Sequence, residues 1–324
     1  MHTKTIAPPT GAAGLFSQKQ HAKNARRALA QRGVTLIELM VGITIGLVVV
    51  AVASSALMFS RKISGTVSDA SDIQQQAAYA MRVIDLQLRQ AGSLHLNLQP
   101  GTATAADPYL APVAFEAGVL PGSNPPFDSF TPATDTLSGT ASPATVTVGY
   151  QRYTEPMFTS ATPQALSRNC LGSPADTSTD QRLQSTFWLS SKNELRCAGN
   201  QSVSAPPLDT EGQPVVQNVA NFQVRYLLQD NTSTPGTPTI KSVDASGVAN
   251  WGQVQAVEVC LVLYGTEAID LPAGSSYTDC DGTTTVDMTA LPVDTATVKR
   301  RNRMHLVFRN VLQLRSQGLI GSVL

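Results

Sequence analysis

The sequence predicts an α+β protein: a long N-terminal helix, membrane-spanning in its first half, packed on an antiparallel β-sheet head. Three observations predict it. From Leu39 to Phe59 no residue is charged, and the only polar side chains are Thr44, Ser54 and Ser55. A run of ~20 such residues crosses a hydrocarbon core of about 30 Å as a helix. From Ile73 to Leu88 apolar residues recur at helical spacing. Beyond residue 143 apolar and polar residues alternate through several short segments, the signature of half-buried strands.

The flanks of the apolar run orient it. Residues 1–33 hold Lys4, Lys19, Lys23, Arg26, Arg27 and Arg32 and no Asp or Glu, which keeps them on the cytoplasmic side. Small Gly33 precedes the apolar run, whereas a secretory signal keeps its cleavage site after it. Pro8, Pro9 and an Ala- and Gly-rich composition give residues 1–33 no reason to form a packed fold. The helix is expected from Thr35 to about Gln90, ~80 Å at 1.5 Å per residue. Gly42 and Gly46, four apart, permit close helix approach in lipid. Ser64-Gly65 is the expected weak point, since an interior glycine costs ~1 kcal/mol against alanine.

The second half of the helix is amphipathic. Ile73, Ala77, Ala80, Ile84 and Leu88 form one stripe, with Gln74, Gln75, Arg82, Asp85 and Arg89 elsewhere. Ala91-Gly92 supplies the stop. Such a stripe needs a globular partner, and the rest of the chain is the candidate.

The head, residues 93–324, opens on an irregular region, 93–143, rich in Pro, Ser, Thr, Ala and Gly, with short strands expected around Val113-Phe115 and Thr136-Leu137. Surface recognition tends to sit on such loops. Strands then dominate. Val146, Val148 and Tyr150 alternate, and Phe187-Trp188-Leu189 and Glu194-Leu195-Arg196-Cys197 flank a hairpin-like Ser190-Ser191-Lys192-Asn193. Phe222, Val224, Tyr226 and Leu228 mark another strand, Val257, Val259, Leu261 and Leu263 the next. Met304, Leu306, Phe308, Leu312 and Leu314 mark the last. This alternation implies a sheet with one buried face, which the amphipathic helix covers.

Charge and cysteine narrow the function classes. Of 23 basic residues six precede residue 34, so 17 stand against 23 acidic ones beyond it, a formal net of −6. That balance argues against a general grip on nucleic acid, which rests on neutralising phosphates. The basic stretch Lys299-Arg300-Arg301-Asn302-Arg303 reads as a charged turn leading into a strand, with a local basic patch as the alternative. Cys170, Cys197, Cys260 and Cys280 all follow the span, on the side where disulfides persist. Four cysteines allow three pairings. Nearest-neighbour pairing, Cys170 with Cys197 and Cys260 with Cys280, closes two compact loops, each contributing ~3 kcal/mol in the chain-entropy model.

No catalytic, cofactor or metal grouping emerges. Beyond the leader's His2 and His21 stand only His95 and His305, each isolated. G-x-S-x-G, H-E-x-x-H and a phosphate-cradling glycine loop do not occur. Asp279-Cys280-Asp281-Gly282, with Asp287 nearby, lacks the full calcium-loop pattern and reads as a solvated turn beside a disulfide. The expectation is a non-enzyme without a cofactor.

Two resemblances give this outline a function. Gly33-Val34-Thr35-Leu36-Ile37-Glu38 resembles the type IV prepilin signal. The resemblance implies cleavage between Gly33 and Val34 by a prepilin peptidase and N-methylation of Val34. It also makes Glu38 the fifth mature residue, the assembly glutamate that attracts a neighbouring subunit's terminal amine. The bland alternative is that Glu38, close to the span's end, simply reaches the headgroups. The proline that many major pilins carry near mature position 22 is absent; Ser55 stands there.

The second resemblance runs along the head. Asn169-Cys170-Leu171-Gly172, Asn193 to Cys197, Val215 to Tyr226, the strand after Trp251-Gly252-Gln253-Val254, and Phe308 to Arg315 are similar to the PilW family of minor pilins. So is Arg82 to Gly92, and the likeness rests on the order and spacing of these pieces. It implies a type IV pilin-like fold with a cleaved leader, 1–33, and a long helix, 34–92, transmembrane at about 34–59. It further implies residence in the inner membrane of a Gram-negative bacterium, head in the periplasm, and then in the pilus at the cell surface. The implied role is non-catalytic: joining other minor pilins and the major pilin in the complex that primes pilus assembly at or near the tip, where a tip adhesin is a further partner. Twitching motility and cell adhesion follow from having pili at all. The J-type minor pseudopilin of type II secretion has a similar layout and is the alternative.

Overall fold

The computed structural model describes residues 33–92, 94–96, 113–115, 136–151, 154–155, 164–165, 168–172, 182–199, 203–230, 239–292 and 300–314. The leader through Arg32, most of the 93–143 region, Lys299 and Arg315 lie outside these residues. By internal packing the chain divides into two units, Met1–Met58 and Phe59–Leu324.

Helix α1 (Leu36–Arg89) runs through Ser64-Gly65 without interruption, so the glycine there does not end it. It ends at Arg89, and the chain turns away through Gly92, whose φ of +69° suits a residue without a Cβ. Strands β1 (Leu94–Leu96) and β2 (Val113–Phe115) pair with each other. Next come β3 (Leu137–Ala141), β4 (Ala144–Gln151), β5 (Thr154–Glu155), β6 (Gln164–Ala165), β7 (Arg182–Leu189), β8 (Leu195–Gly199) and β9 (Gln213–Val216). The chain continues through β10 (Val219–Asp230), β11 (Thr239–Val243), β12 (Val254–Tyr264), β13 (Ser276–Thr278), β14 (Thr285–Asp287) and β15 (His305–Gln313).

The large strands make two antiparallel sheets where one was expected. One runs β3-β4-β7-β8-β9, the other β11-β10-β12-β15. The switch falls at Gln217-Asn218, between β9 and β10. Asn218 adopts φ +59°, a left-handed conformation that asparagine tolerates. Its carbonyl accepts from Tyr264 N–H, and Val219 N–H donates to Asn193 O, both at 2.9 Å. Alternation marks which face of a strand is buried; it does not say which strands share a sheet.

One apolar core serves both sheets. The helix stripe Ile73, Ala77, Ala80, Ile84 and Leu88 is at most 3% exposed. It packs with Val146, Val148, Phe187 and Leu195 of the first sheet and Phe222, Val257, Val259 and Leu261 of the second. Burying the Val, Ile, Leu and Phe side chains among these contributes ~1.5–3 kcal/mol each.

β12 departs from the one-face expectation, because both its faces are buried. Cys260 and Val262, opposite the core-facing valines, pack with Cys280, Tyr277 and Ala220. The segment 265–292, which carries the β13–β14 hairpin, folds over this second face. The Cys260–Cys280 disulfide, Cα atoms 5.7 Å apart, ties it there.

Candidate functional site

The helix start is built by Thr35. Gly33, Val34 and Thr35 lie outside the helix and are exposed. The Thr35 carbonyl accepts the first intrahelical bond, from Leu39 N–H at 3.1 Å, and its hydroxyl accepts from Glu38 N–H at 3.3 Å. Thr-x-x-Glu therefore acts as an N-cap with glutamate at the third helical position. A carboxylate in the first turn also complements the helix dipole. Glu38 is exposed, and its carboxylate has no hydrogen-bond or ion-pair partner among the described residues. The Gly33–Val34 bond thus lies ahead of the first helical residue, with nothing within 4 Å of where a Cβ on Gly33 would sit.

Beyond Glu38 the helix is apolar all round. Every large apolar side chain from Val34 to Met58 is at least 50% exposed. Among the described residues α1 is the helix long and apolar enough to cross a membrane. Thr44 and Ser55 donate to the carbonyls of Val41 and Val52 at 2.8 Å, so neither hydroxyl enters apolar surroundings unpaired. Apart from the neighbouring helix backbone, nothing described lies within 4 Å of a hypothetical Cβ on Gly42 or Gly46, so packing within the chain does not require glycine at either position.

In the second unit the helix is tied to the sheets by two buried polar residues. Gln87 Oε1 accepts from Ser185 Oγ at 2.9 Å, while its Nε2 donates to Arg168 O at 3.2 Å. Tyr150 donates to the same Arg168 carbonyl at 2.5 Å, and Ser185 Oγ accepts from Cys170 N–H at 3.0 Å. Burial pushes the Tyr150 phenol above its ordinary value. The network holds the turn whose Cys170 is bonded to Cys197 of β8, Cα atoms 6.4 Å apart. Higher along the helix, Asp69 Oδ1 accepts from Thr266 N–H at 2.8 Å and from the Thr266 hydroxyl at 3.1 Å.

Of the remaining polar candidates, His305, Arg301, Arg303 and Asp281 make contacts within the head. His305, 5% exposed, stacks on Tyr277 (centroids 4.9 Å apart) and Tyr264 (5.6 Å), with Nδ1 2.9 Å from Arg303 O. Burial pushes its pKa down to about 4. His95 lies in β1. In the basic stretch Arg301 donates to Thr289 O at 3.0 Å, and buried Arg303 donates to Gly265 O at 3.3 Å. Asp281 closes its own turn by accepting from Thr283 N–H, Thr284 N–H and the Thr284 hydroxyl. The Thr284 hydroxyl foremost, with the two amides, holds its pKa down at about 2. No group of three or more His, Cys, Asp and Glu side chains poised for a metal ion occurs among the described residues.

The structure separates the sequence-derived site residues into two sets. Gly33, Val34, Glu38, Gly42 and Gly46 belong to the helix start, while Cys170, Cys197, Cys260 and Cys280 staple the head. Sequence reasoning missed Thr35's cap, Gln87 and Asp69. All three carried a signal: Thr35-x-x-Glu38 is a capping pattern, and Gln87 and Asp69 fall three after Ile84 and four before Ile73, on the apolar stripe.

Residues 181–316, which include β7 to β15 and both disulfide-bonded strands, match the family model of Type IV Pilus-assembly protein W. Residues 29–54 match the Prokaryotic N-terminal methylation motif. Among solved structures, a Type IV-like pilin from Thermus thermophilus is similar at 15% identity over 55% of this chain and 81% of that one, with a TM-score of 0.27. No curated protein matches the chain.

Proposed function

We propose that this chain, with the PilW pattern in its head and a prepilin-type signal at its start, is a minor pilin that primes type IV pilus assembly at or near the tip. It is made as a prepilin, held in the inner membrane by residues 34–59 with its head in the periplasm, and cut between Gly33 and Val34 by the prepilin peptidase. Val34 is then N-methylated. The mature protein joins the other minor pilins and the major pilin, and a tip adhesin is a further partner on the exposed head. Its parts are the leader 1–33, the helix 34–92 and the head 93–324. The work is association, with no cofactor, no metal and no nucleic acid.

The observation that carries this reading is Glu38. It is a lone carboxylate fixed by the Thr35 cap at the third helical position of an apolar helix, with no partner among the described residues. A carboxylate costs ~2.5–3.5 kcal/mol at the centre of a span and less near its end, where Glu38 stands, and a counter-charge lowers that cost further. The terminal amine freed at Val34 of an adjacent subunit is one of the right sign. Gly42 and Gly46, where an added Cβ would meet nothing beyond the local helix backbone, leave room for close approach of another helix.

The test is intact mass of the membrane-extracted protein, expressed with and without prepilin peptidase. Loss of residues 1–33 and gain of one methyl group only with the peptidase is the expected result; full length under both conditions overturns it. Deleting the gene should then abolish surface pili. Pili retained with secretion of folded enzymes blocked would transfer the protein to a type II secretion filament.

A further inference from the structure

We propose that Thr35 is a positioning residue for prepilin processing, its hydroxyl fixing the helix boundary so that the Gly33–Val34 bond stays outside α1. The proposal rests on the reading that this bond is the one cut. Thr35 does not touch the scissile bond's reacting atoms; it acts through the backbone that follows.

The geometry supplies the mechanism. Thr35 Oγ1 takes the Glu38 N–H at 3.3 Å, one of the donors that a helix start leaves without an intrahelical acceptor. That bond favours a helix beginning at Leu36 over one beginning earlier. Gly33, Val34 and Thr35 accordingly lie outside the helix. A peptidase must reach both sides of the bond it cuts, and chain outside regular structure is the preferred place for cleavage. Remove the hydroxyl, and the boundary is free to slide toward the N-terminus. Ala28-Leu29-Ala30-Gln31-Arg32 are helix-favouring residue types, so only Gly33, the poorest helix former but proline, would then oppose a helix carried through the scissile bond.

The capping view separates from direct recognition of threonine by the peptidase. If the cap is what matters, any good capping residue should serve at position 35, whatever its shape. Asparagine and serine cap as well as threonine or better, alanine and valine poorly. Valine is close to threonine in shape and lacks only the hydroxyl.

The experiment compares initial cleavage rates of the full-length chain in membranes containing prepilin peptidase for wild type, Thr35→Ser, Thr35→Asn, Thr35→Val and Thr35→Ala. Wild type, Ser and Asn should be cut at similar rates. Val and Ala should be cut about fivefold more slowly, the rate equivalent of a cap worth ~1 kcal/mol. Wild-type rates for Val and Ala would overturn the proposal. Slow cleavage of Asn would also overturn it, because the enzyme would then be reading threonine itself. Absence of cleavage in the wild type would instead remove the processing reading, and this proposal with it.

Discussion

Both halves of α1 carry large apolar side chains, yet they bury them differently. From Leu36 to Met58 the apolar residues face every direction and each large one is at least half exposed. From Ile73 to Leu88 apolar residues hold one stripe, at most 3% exposed, with charged and amide side chains around it. A helix apolar all round needs an apolar solvent or other helices on every side; a striped one needs a single sheet face. Both the number of apolar residues and their distribution around the axis separate the half committed to the head from the half whose apolar side chains find no partner among the described residues.

Glu38 is the sharpest break in that comparison, a carboxylate in the half that otherwise lacks charge up to Phe59. Glu38→Ala should leave cleavage after Gly33 and the stability of the head unchanged while incorporation into filaments falls to background. Comparing sheared filaments with the membrane fraction measures this, and normal incorporation would return Glu38 to the headgroup reading.

Truncations to alanine in the two halves should then give unequal results. Ile84 is fully buried against both sheets, so Ile84→Ala should cost ~2–5 kcal/mol through lost contact and the cavity left behind. Val48, 62% exposed, has no such packing, and Val48→Ala should leave the unfolding midpoint of the head unchanged. Denaturant titration of the two variants in detergent checks this. A shift of the same size in both would mean that residues 36–58 fold as part of the head.

How much of this was legible follows from the kind of signal each element carries. The helix was expected over Thr35 to about Gln90 and spans Leu36–Arg89, because its apolar periodicity is long and its stop, Gly92, is chemical. The alternating residues of β4, β10, β12 and β15 announced themselves for the same reason. The division into two sheets was not legible, since it turns on one left-handed residue, Asn218, in an otherwise ordinary link. Nor was the cover over β12, because 265–292 contains little regular structure and buries its face through Tyr277 and Cys280. At the helix start the residue types were all in view, but the role of Thr35 became visible only once its hydroxyl was seen on Glu38 N–H.

Acid should distinguish the units as well. The His305 pKa is near 4 in the folded head against ~6.5 unfolded, so between these values the unfolded chain binds the extra proton. Stability from this residue is complete above pH ~6.5 and declines as pH falls toward 4, by at most ~3 kcal/mol. His305→Phe keeps an aromatic ring between Tyr264 and Tyr277 and should flatten that decline. Thermal melts from pH 7.5 to 4 would show it; an unchanged slope in the variant would assign the decline to other groups. Helicity of residues 36–58 in micelles should not follow this titration.

Asp69 marks where the buried stripe begins, and it tests whether that edge is set by packing or by a specific bond. It is 4% exposed, lies one helical turn before Ile73, and takes both the amide and the hydroxyl of Thr266 on one carboxylate oxygen. The close approach depends on Gly265, because a Cβ there would fall 1.6 Å from Asp69 Oδ2. Asp69→Ala removes both bonds to the carboxylate, but Thr266 is exposed and water can take its donors, so the change should cost ~0.5–1.5 kcal/mol. Asp72, exposed on the same helix, should cost under ~0.5 kcal/mol when changed to alanine. Gly265→Ala reaches the same contact from the other side by displacing the carboxylate. If the bond sets the edge, Gly265→Ala made in the Asp69→Ala background should add little. Full additivity in the double-mutant cycle would mean that the two residues act independently and that packing from Ile73 onward is what anchors the helix.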